Sequence, residues 1–164
     1  MKVIFCDVDG VLNNPKTRGH TPTGFMGVSN DLIRNLKKLV EYSGARIVLS
    51  SDWRLTRDDP EHRKDYRYLT RKLKSIAGLE IFDHTDDISW NQRGQEIRKY
   101  LNDHPDINGY VVLDDEPFRT FQIFGVASNL VLTDPDMGLT DADIERAAMI
   151  LSGQQVEAYD SGLF

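Results

Sequence analysis

Three short apolar segments of the chain each end directly in side chains that carry oxygen. The segments are residues 2–6, 46–50 and 110–113, and the side chains at their ends are those of Asp7, Asp9, Ser50, Ser51, Asp114 and Asp115. Amphipathic stretches with helical spacing lie between the segments. Uniformly apolar strands that alternate with helices are typical of a parallel sheet covered on both faces. The sequence therefore predicts an α/β fold with three Rossmann-like layers, whose polar strand ends meet at one edge.

Helix and strand signals predict the other elements. We expect one helix from Ser29 to Gly44, and a second from Pro60 to about residue 75 that is capped by Asp58 or Asp59. A third helix is expected to begin near Asn91, and a last helix to be capped by Thr140. Short strands are predicted at residues 79–82 and 130–132.

Length, charge and cysteine content narrow the class of protein. The chain has 164 residues, which predicts one domain over residues 1–164 with a polar, loosely ordered tail at 154–164. Its formal net charge of -6 argues against binding to nucleic acid or to a membrane by bulk charge alone. Cys6 is the single cysteine, and the continuous apolar run before Asp7 has only four residues, too few for a secretion signal. We therefore expect a cytoplasmic protein with no membrane partner.

The carboxylates at the strand ends predict a metal site. Any one Asp or Gly at a strand end is explained by its preference for turns, but three such ends in one sheet are not. Like charges at close range raise one another's pKa and destabilise the fold, and a divalent cation relieves this repulsion. No group of His or Cys residues accompanies the carboxylates. Oxygen ligands of this kind indicate Mg²⁺ rather than Zn²⁺.

The strand ends also resemble the motifs of the haloacid dehalogenase (HAD) superfamily. Its first motif, an apolar strand followed by Asp-x-Asp-Gly, resembles residues 3–12, and its second, a strand ending in Ser or Thr, is similar to residues 47–50. The acidic fourth motif resembles residues 111–115, and the lone cation of the third is best matched by Arg93. More narrowly, residues 50–54, 93–97 and 138–140 resemble small HAD proteins related to the phosphatase-like domain of Swiss Army Knife RNA-repair proteins.

The resemblance implies a role for each site residue. Asp7 is implied to be the nucleophile and a metal ligand, and Asp9 the acid and base whose backbone carbonyl also meets the metal. The other implied residues are Gly10 at the sharp strand exit, Ser50 and Ser51 on a phosphoryl oxygen, Arg93 as the cation, and Asp115, followed by Asp114, as the further metal carboxylate. Arg54 and Lys99 are the alternatives to Arg93.

These roles predict a Mg²⁺-dependent phosphatase that acts through an aspartyl-phosphate. The presence of Asp9 is typical of HAD phosphatases and phosphomutases, and the short segments after the first two strands leave room for a minimal cap or none. An open site suits an extended substrate better than one that must be enclosed. One alternative is a phospho-signalling receiver domain, with which the Asp-x-Asp spacing disagrees. The other is a non-hydrolysing module that binds a phosphorylated nucleotide or RNA end.

A basic stretch bears on the substrate. Residues 54–74 contain eight Lys or Arg against four acidic residues, which leaves a charge of -10 on the rest of the chain. The stretch either guides a phosphorylated small molecule, nucleotide or nucleic-acid end toward the site or is an ordinary solvated helix face. Trp53 is interpreted as a packing residue at the rim of the site, and Trp90 as a hydrophobic staple. The sequence does not predict an oligomeric state.

Overall fold

The computed structural model describes Met1–Phe164 and contains five strands and five α-helices. In chain order these are β1 (Lys2–Cys6), α1 (Asn30–Ser43), β2 (Arg46–Leu49), α2 (Arg63–Ala77), β3 (Ile81–His84), α3 (Arg93–Asp103), β4 (Gly109–Asp114), α4 (Arg119–Ile123), β5 (Leu130–Leu132) and α5 (Asp141–Leu151). Three 3₁₀ turns lie at Asp52–Arg57, Ala127–Asn129 and Ser161–Leu163.

All five strands are parallel and lie in the order β3-β2-β1-β4-β5. Cys6 at the end of the central strand pairs with Leu49 on one side and Leu113 on the other. The residues that follow these three therefore lie side by side at the carboxyl edge of the sheet. They are Asp7, Ser50 and Asp114, so the predicted convergence of polar strand ends is confirmed.

Apolar side chains cover both faces of the sheet. Ile4 and Cys6 belong to a core of 25 buried residues that is shared with α1, α2 and α5. Val3 and Phe5, which alternate with them along β1, belong to a second core of nine buried residues shared with α3 and α4. Because successive strand residues point to opposite faces, this division is the physical reason why the strand is apolar at every position. The predicted three-layer α/β fold is confirmed.

The helix ends follow the sequence signals in α1 and α5. Gly44 ends α1 with φ of 65°, and its N–H donates to the carbonyl of Val40. The hydroxyl of Thr140 accepts from the backbone N–H of Asp143, whose carboxylate accepts from the backbone of Thr140 in return. The expected cap at Thr140 is confirmed.

Two predicted boundaries were wrong. Helix α2 begins at Arg63 instead of Pro60, because Asp59 accepts hydrogen bonds from the Glu61 N–H and from His62 and so closes a separate turn. Strand β3 lies two residues later than predicted, at Ile81–His84. The expected start of α3 near Asn91 is confirmed: the helix begins at Arg93, and Asn91 just before it has a positive φ of 58°.

No segment at the carboxyl edge forms a cap domain. Between β1 and α1 the chain makes one isolated antiparallel bridge, His20 to Met26, and the Thr23 hydroxyl anchors this loop to buried Asp65 on α2. The minimal cap expected from the sequence agrees with this short loop.

Two contacts hold the segment near the C-terminal end. The Tyr159 hydroxyl accepts from the Leu132 N–H, and Arg146 donates to the Glu157 carbonyl. None of the helices has the length and apolar character needed to cross a membrane.

Candidate active site

A polar cavity of about 450 Å³ opens at the carboxyl edge of the sheet. Its walls come from the strand ends, the turn after β2, the loop before α3 and the segment after β4. Three of its lining residues are hydrophobic. The sequence-predicted residues among the lining set are Asp7, Asp9, Ser51, Arg54, Arg93 and Asp115.

Three carboxylates meet at the floor of this cavity. Asp7, Asp114 and Asp115 each offer an oxygen, and these oxygens lie within 4.8 Å of one another. Asp7 and Asp114 are buried, whereas Asp115 is half-buried and faces the cavity. A compact set of oxygen donors of this kind matches the coordination preference of Mg²⁺.

The pKa shifts of the three carboxyl groups show how poorly the fold tolerates their charge without a cation. Burial raises the pKa of Asp7, and the charge of Arg93 only partly opposes this effect. Burial and the neighbouring Asp7 raise the pKa of Asp114 well above its ordinary range. The same two causes raise the pKa of Asp115 to about 6. The site therefore favours either bound protons or a bound cation.

The guanidinium of Arg93 contacts two of the three clustered aspartates. Its Nη1 donates to Asp114 Oδ2 at 3.0 Å and lies 3.3 Å from Asp7 Oδ1. Its guanidinium also lies over the ring of Phe118. The residue is at the first position of α3, so the helix start aims the side chain toward the strand ends. Lys99, the alternative cation, is instead paired with Asp86 and Asp103 and does not line the cavity.

The two serines after β2 have different positions. The Ser51 hydroxyl lines the cavity and makes a hydrogen bond that lowers the pKa of Asp7, and it also accepts from the Trp53 N–H. The Ser50 hydroxyl is fully buried, does not line the cavity and has no hydrogen-bond partner. Of the two serines predicted to bind a phosphoryl oxygen, Ser51 is therefore the one whose side chain faces the cavity.

The guanidinium of Arg54 is occupied by hydrogen bonds to other groups of the protein. Its guanidinium donates to the carbonyls of Ser50 and Ser51 and to Glu96 Oε2 at 2.9 Å. Glu96 in turn accepts from the Ile88 N–H. Burial raises the pKa of Glu96, and the charge of Arg54 opposes that effect. The pair thus fastens the turn after β2 to α3, while Arg54 also lines the cavity.

Asp9 and Gly10 complete the loop after β1. The carboxylate of Asp9 is exposed to the cavity and accepts hydrogen bonds from Asn13 and from the Trp53 indole. Gly10 has φ of 67° and lies against Asp115, and its carbonyl accepts from the Thr133 hydroxyl. The expected sharp exit from the strand is present at Gly10.

The structure agrees with the packing role expected of Trp53 and disagrees with the role expected of Trp90. Trp53 packs in the larger core, as predicted, but its indole N–H also reaches Asp9. Trp90 is not a hydrophobic staple: its side chain is 80% exposed and lines the mouth of the cavity with Leu55 and Phe118. No local sequence pattern marks Leu55, Phe118 or Asn13 as site residues, whereas Glu96 lies within residues 93–97, which carry part of the family resemblance.

The basic stretch is divided among several environments. Arg54 is buried, Arg57 pairs with the adjacent Asp58, and Lys74 pairs with Glu80. Lys72 donates to Asn30. Exposed cations on α2 without an ion pair are Arg63, Lys64, Arg67 and Arg71. None of these four lines the cavity.

A Rossmann-like sheet with an Asp-x-Asp-Gly loop, a serine, a cation and an acidic pair at one edge defines a HAD-superfamily domain. Residues 3–144 match the family described as the HAD domain in Swiss Army Knife RNA repair proteins, and the chain belongs to that family. Comparison with curated proteins and with solved structures returned no match.

Proposed function

We propose that this protein is a Mg²⁺-dependent phosphomonoester hydrolase that forms an aspartyl-phosphate on Asp7 and acts on nucleotides or nucleic-acid ends. The observation that carries the proposal is the cluster of Asp7, Asp114 and Asp115 oxygens beside Arg93 at the floor of an open cavity. Membership of the HAD family supports it.

The residues present fit a magnesium ion. Asp7, Asp115 and Asp114 would hold it, together with the backbone carbonyl of Asp9 that the family resemblance implies. When bound, Mg²⁺ neutralises charge on the phosphoryl group and on the carboxylates, which allows one anion to attack another. The raised pKa of all three aspartates is consistent with a cluster that needs such a cation.

Asp7 and Asp9 divide the chemistry into two steps. In the first, an Asp7 oxygen attacks phosphorus while the ester oxygen departs with a proton from the Asp9 carboxyl group. In the second, the Asp9 carboxylate takes a proton from water as the water oxygen attacks the phosphorus of the aspartyl-phosphate. Inorganic phosphate leaves, the Asp7 carboxylate is regenerated and Asp9 is again protonated.

The transferring phosphoryl group is bound by Arg93 and Ser51. Arg93 offers the planar fork that suits phosphate oxygens, and a phosphoryl group on Asp7 lies within reach of its Nη1. Ser51 lines the cavity beside Asp7 and supplies a hydroxyl donor. Arg54 acts through its bonds to the Ser50 and Ser51 carbonyls, which position this loop.

The rim of the cavity supports a substrate with a nucleobase. Trp90 is 80% exposed there, and the apolar side chains of Leu55 and Phe118 line the same cavity. Bases of any sequence stack on such aromatic side chains. An open mouth leaves room for the rest of a polynucleotide, and the family description names RNA repair proteins.

Phosphate release from p-nitrophenyl phosphate, with and without Mg²⁺, tests the reaction. We expect turnover that requires Mg²⁺ and is lost in Asp7→Asn, while the circular dichroism spectrum of the variant is unchanged. Acid quenching followed by mass spectrometry should locate the phosphoryl group on the Asp7 peptide. Asp136→Asn is the matched control, because Asp136 is exposed and does not line the cavity.

A panel of nucleoside monophosphates, oligonucleotides with a 5′ or 3′ phosphate and sugar phosphates then tests the substrate class. Higher kcat/KM for the nucleotide substrates is the expected result. Tight binding of these ligands without hydrolysis at saturating Mg²⁺ would contradict the enzymatic proposal and favour a binding module.

A further inference from the structure

The side chain of Asp9 is held by two donors whose roles nothing in the family motifs assigns. Asn13 Nδ2 donates to Asp9 Oδ1 at 2.7 Å, and Trp53 Nε1 donates to Asp9 Oδ2 at 2.9 Å. Each carboxylate oxygen thus receives one hydrogen bond from a fixed direction. Since each oxygen has two lone pairs, one on each remains free for a proton or a water molecule in the cavity.

Both donors are buried, whereas the carboxylate they hold is exposed. Asn13 is 2% exposed and Trp53 is 7% exposed, and Trp53 packs in the larger core. An exposed aspartate ordinarily samples several rotamers, and only one of these is useful for proton transfer. Two donors that are themselves buried remove that freedom, because a rotation of Asp9 breaks both hydrogen bonds.

The orientation of the Asn13 amide follows from its second contact. Asn13 Oδ1 accepts from the Gly10 N–H at 2.9 Å. A backbone N–H can only donate, so the amide oxygen must face Gly10 and the amide nitrogen must face Asp9. The loop after β1 therefore sets the direction of this donor through its own backbone.

We propose that Trp53 and Asn13 are positioning residues that hold Asp9 where it delivers a proton to the leaving oxygen. This inference rests on the proposed phosphatase function. The proton moves from the Asp9 carboxyl group to the ester oxygen as the bond from phosphorus to that oxygen breaks and the bond to Asp7 forms. The proton and the phosphoryl group are thus both accounted for by Asp9, Asp7 and the substrate.

A leaving-group comparison separates positioning from general structural support. The value of kcat/KM reports the steps up to and including release of the alcohol. The proton from Asp9 is used in that release. An alkyl alcohol is a poor leaving group and needs the proton, whereas p-nitrophenolate leaves without it. In Trp53→Phe we expect kcat/KM to fall about tenfold for glycerol phosphate and by less than about twofold for p-nitrophenyl phosphate.

A matched control removes a hydrogen bond that a side-chain amide donates elsewhere in the protein. Asn35 Nδ2 donates to the Leu139 carbonyl and Asn35 does not line the cavity, so Asn35→Ala should leave both values of kcat/KM unchanged. Asn13→Ala should show the same selective loss as Trp53→Phe. Equal losses on both esters in Trp53→Phe would overturn the positioning role, because a merely structural defect does not distinguish leaving groups.

A spectroscopic measurement on the metal-free protein tests the contact itself. The chain has two tryptophans, so a ¹⁵N-resolved NMR spectrum contains two indole N–H signals. Asp9→Ala should shift the Trp53 signal and accelerate its hydrogen exchange, while the signal of Trp90 serves as internal reference. An unchanged Trp53 signal would refute the contact. If the wild type hydrolyses neither ester, the proposed function fails, and the NMR result still decides whether Trp53 holds Asp9.

Discussion

Gly10 and Asp115 lie so close together that no side chain fits between them. A Cβ built on Gly10 would lie 2.4 Å from Asp115 Cγ and 2.4 Å from Asp115 Oδ2. The glycine at the end of the first motif therefore has two functions. It adopts the left-handed backbone that turns the chain after β1, and it leaves room for a carboxylate from the next strand along the sheet.

This contact predicts a large effect for Gly10→Ala. A positive φ costs an alanine about 1–2 kcal/mol, and overpacking against Asp115 adds about 1–3 kcal/mol. We expect the free energy of unfolding, measured by urea denaturation, to fall by about 3 kcal/mol. Gly44→Ala is the matched control: its φ is 65°, but a Cβ there meets nothing within 4 Å. Similar losses for the two variants would contradict the close contact.

The stability of the metal-free protein should depend on the titration of Asp115. Its pKa is about 6 in the folded protein against an ordinary value of 3.8. Between these values the folded state binds more protons than the unfolded chain, so this group's contribution to stability is lost as pH rises through about 6. The thermal midpoint of the wild type should therefore fall relative to that of Asp115→Asn between about pH 4 and pH 7.

Magnesium should oppose the loss of stability that the metal-free protein undergoes as the pH rises. The ion competes with protons for the same oxygens, so the increase in thermal midpoint caused by Mg²⁺ should be larger at about pH 8 than at about pH 5. Differential scanning fluorimetry at both values, with EDTA as the metal-free reference, provides the measurement. Asp115→Asn should reduce the increase. A larger effect of Mg²⁺ at the lower pH would count against the carboxylate site.

The pair of Arg54 and Glu96 should contribute more to stability than an ion pair on the surface. Both side chains are buried and their atoms are 2.9 Å apart. Removing one partner leaves an uncompensated buried charge, so Arg54→Ala should lower the free energy of unfolding by about 3–5 kcal/mol. Arg57→Ala, which breaks an exposed pair with Asp58, should cost less than about 1 kcal/mol in the same denaturant experiment.

Trp90 should influence substrate choice without affecting the chemistry. Stacking of a base on an aromatic side chain is worth about 1–3 kcal/mol, so Trp90→Ala should raise KM about tenfold for a nucleoside monophosphate. The KM for glycerol phosphate, which has no ring, should stay unchanged. Ile123→Ala is a suitable control, because Ile123 is exposed on α4 and outside the cavity. An equal rise in KM for both substrates would show that Trp90 does not contact a base.

Local patterns along the chain were sufficient to predict the three-layer sheet and the edge at which the site lies. An apolar strand must be buried, and alternation with amphipathic helices leaves few arrangements other than a parallel sheet. The predicted α2 was less accurate, because Asp59 closes a turn with Glu61 and His62 that competes with the helix start. Such competition depends on side-chain bonds that propensity does not resolve.

The acidic and hydroxyl motif residues were predictable for a similar reason, since they lie at strand ends, which share one edge in a parallel sheet. Arg93 begins α3 instead, and its prediction came from the resemblance to the third HAD motif. The sequence did not predict which of two adjacent residues has its side chain in the cavity. Both serines are buried, but only Ser51 lines the cavity. Asp114 is buried, whereas Asp115 is half-buried and lines the cavity. A difference of one position along the chain turns a side chain to another direction, and only the paths of the loops specify which one reaches the cavity.

The chain's own pattern of apolar segments and polar ends is thus enough to specify the architecture, the acidic motifs and their common location, because these depend on burial and on short-range spacing. The hydrogen-bond partners of the site residues could be identified only in the folded structure. Trp53 reaches Asp9 across 44 positions, and Arg54 reaches Glu96 across 42. Contacts over such separations arise from how the loops pack on the sheet, and no periodicity in the sequence encodes them.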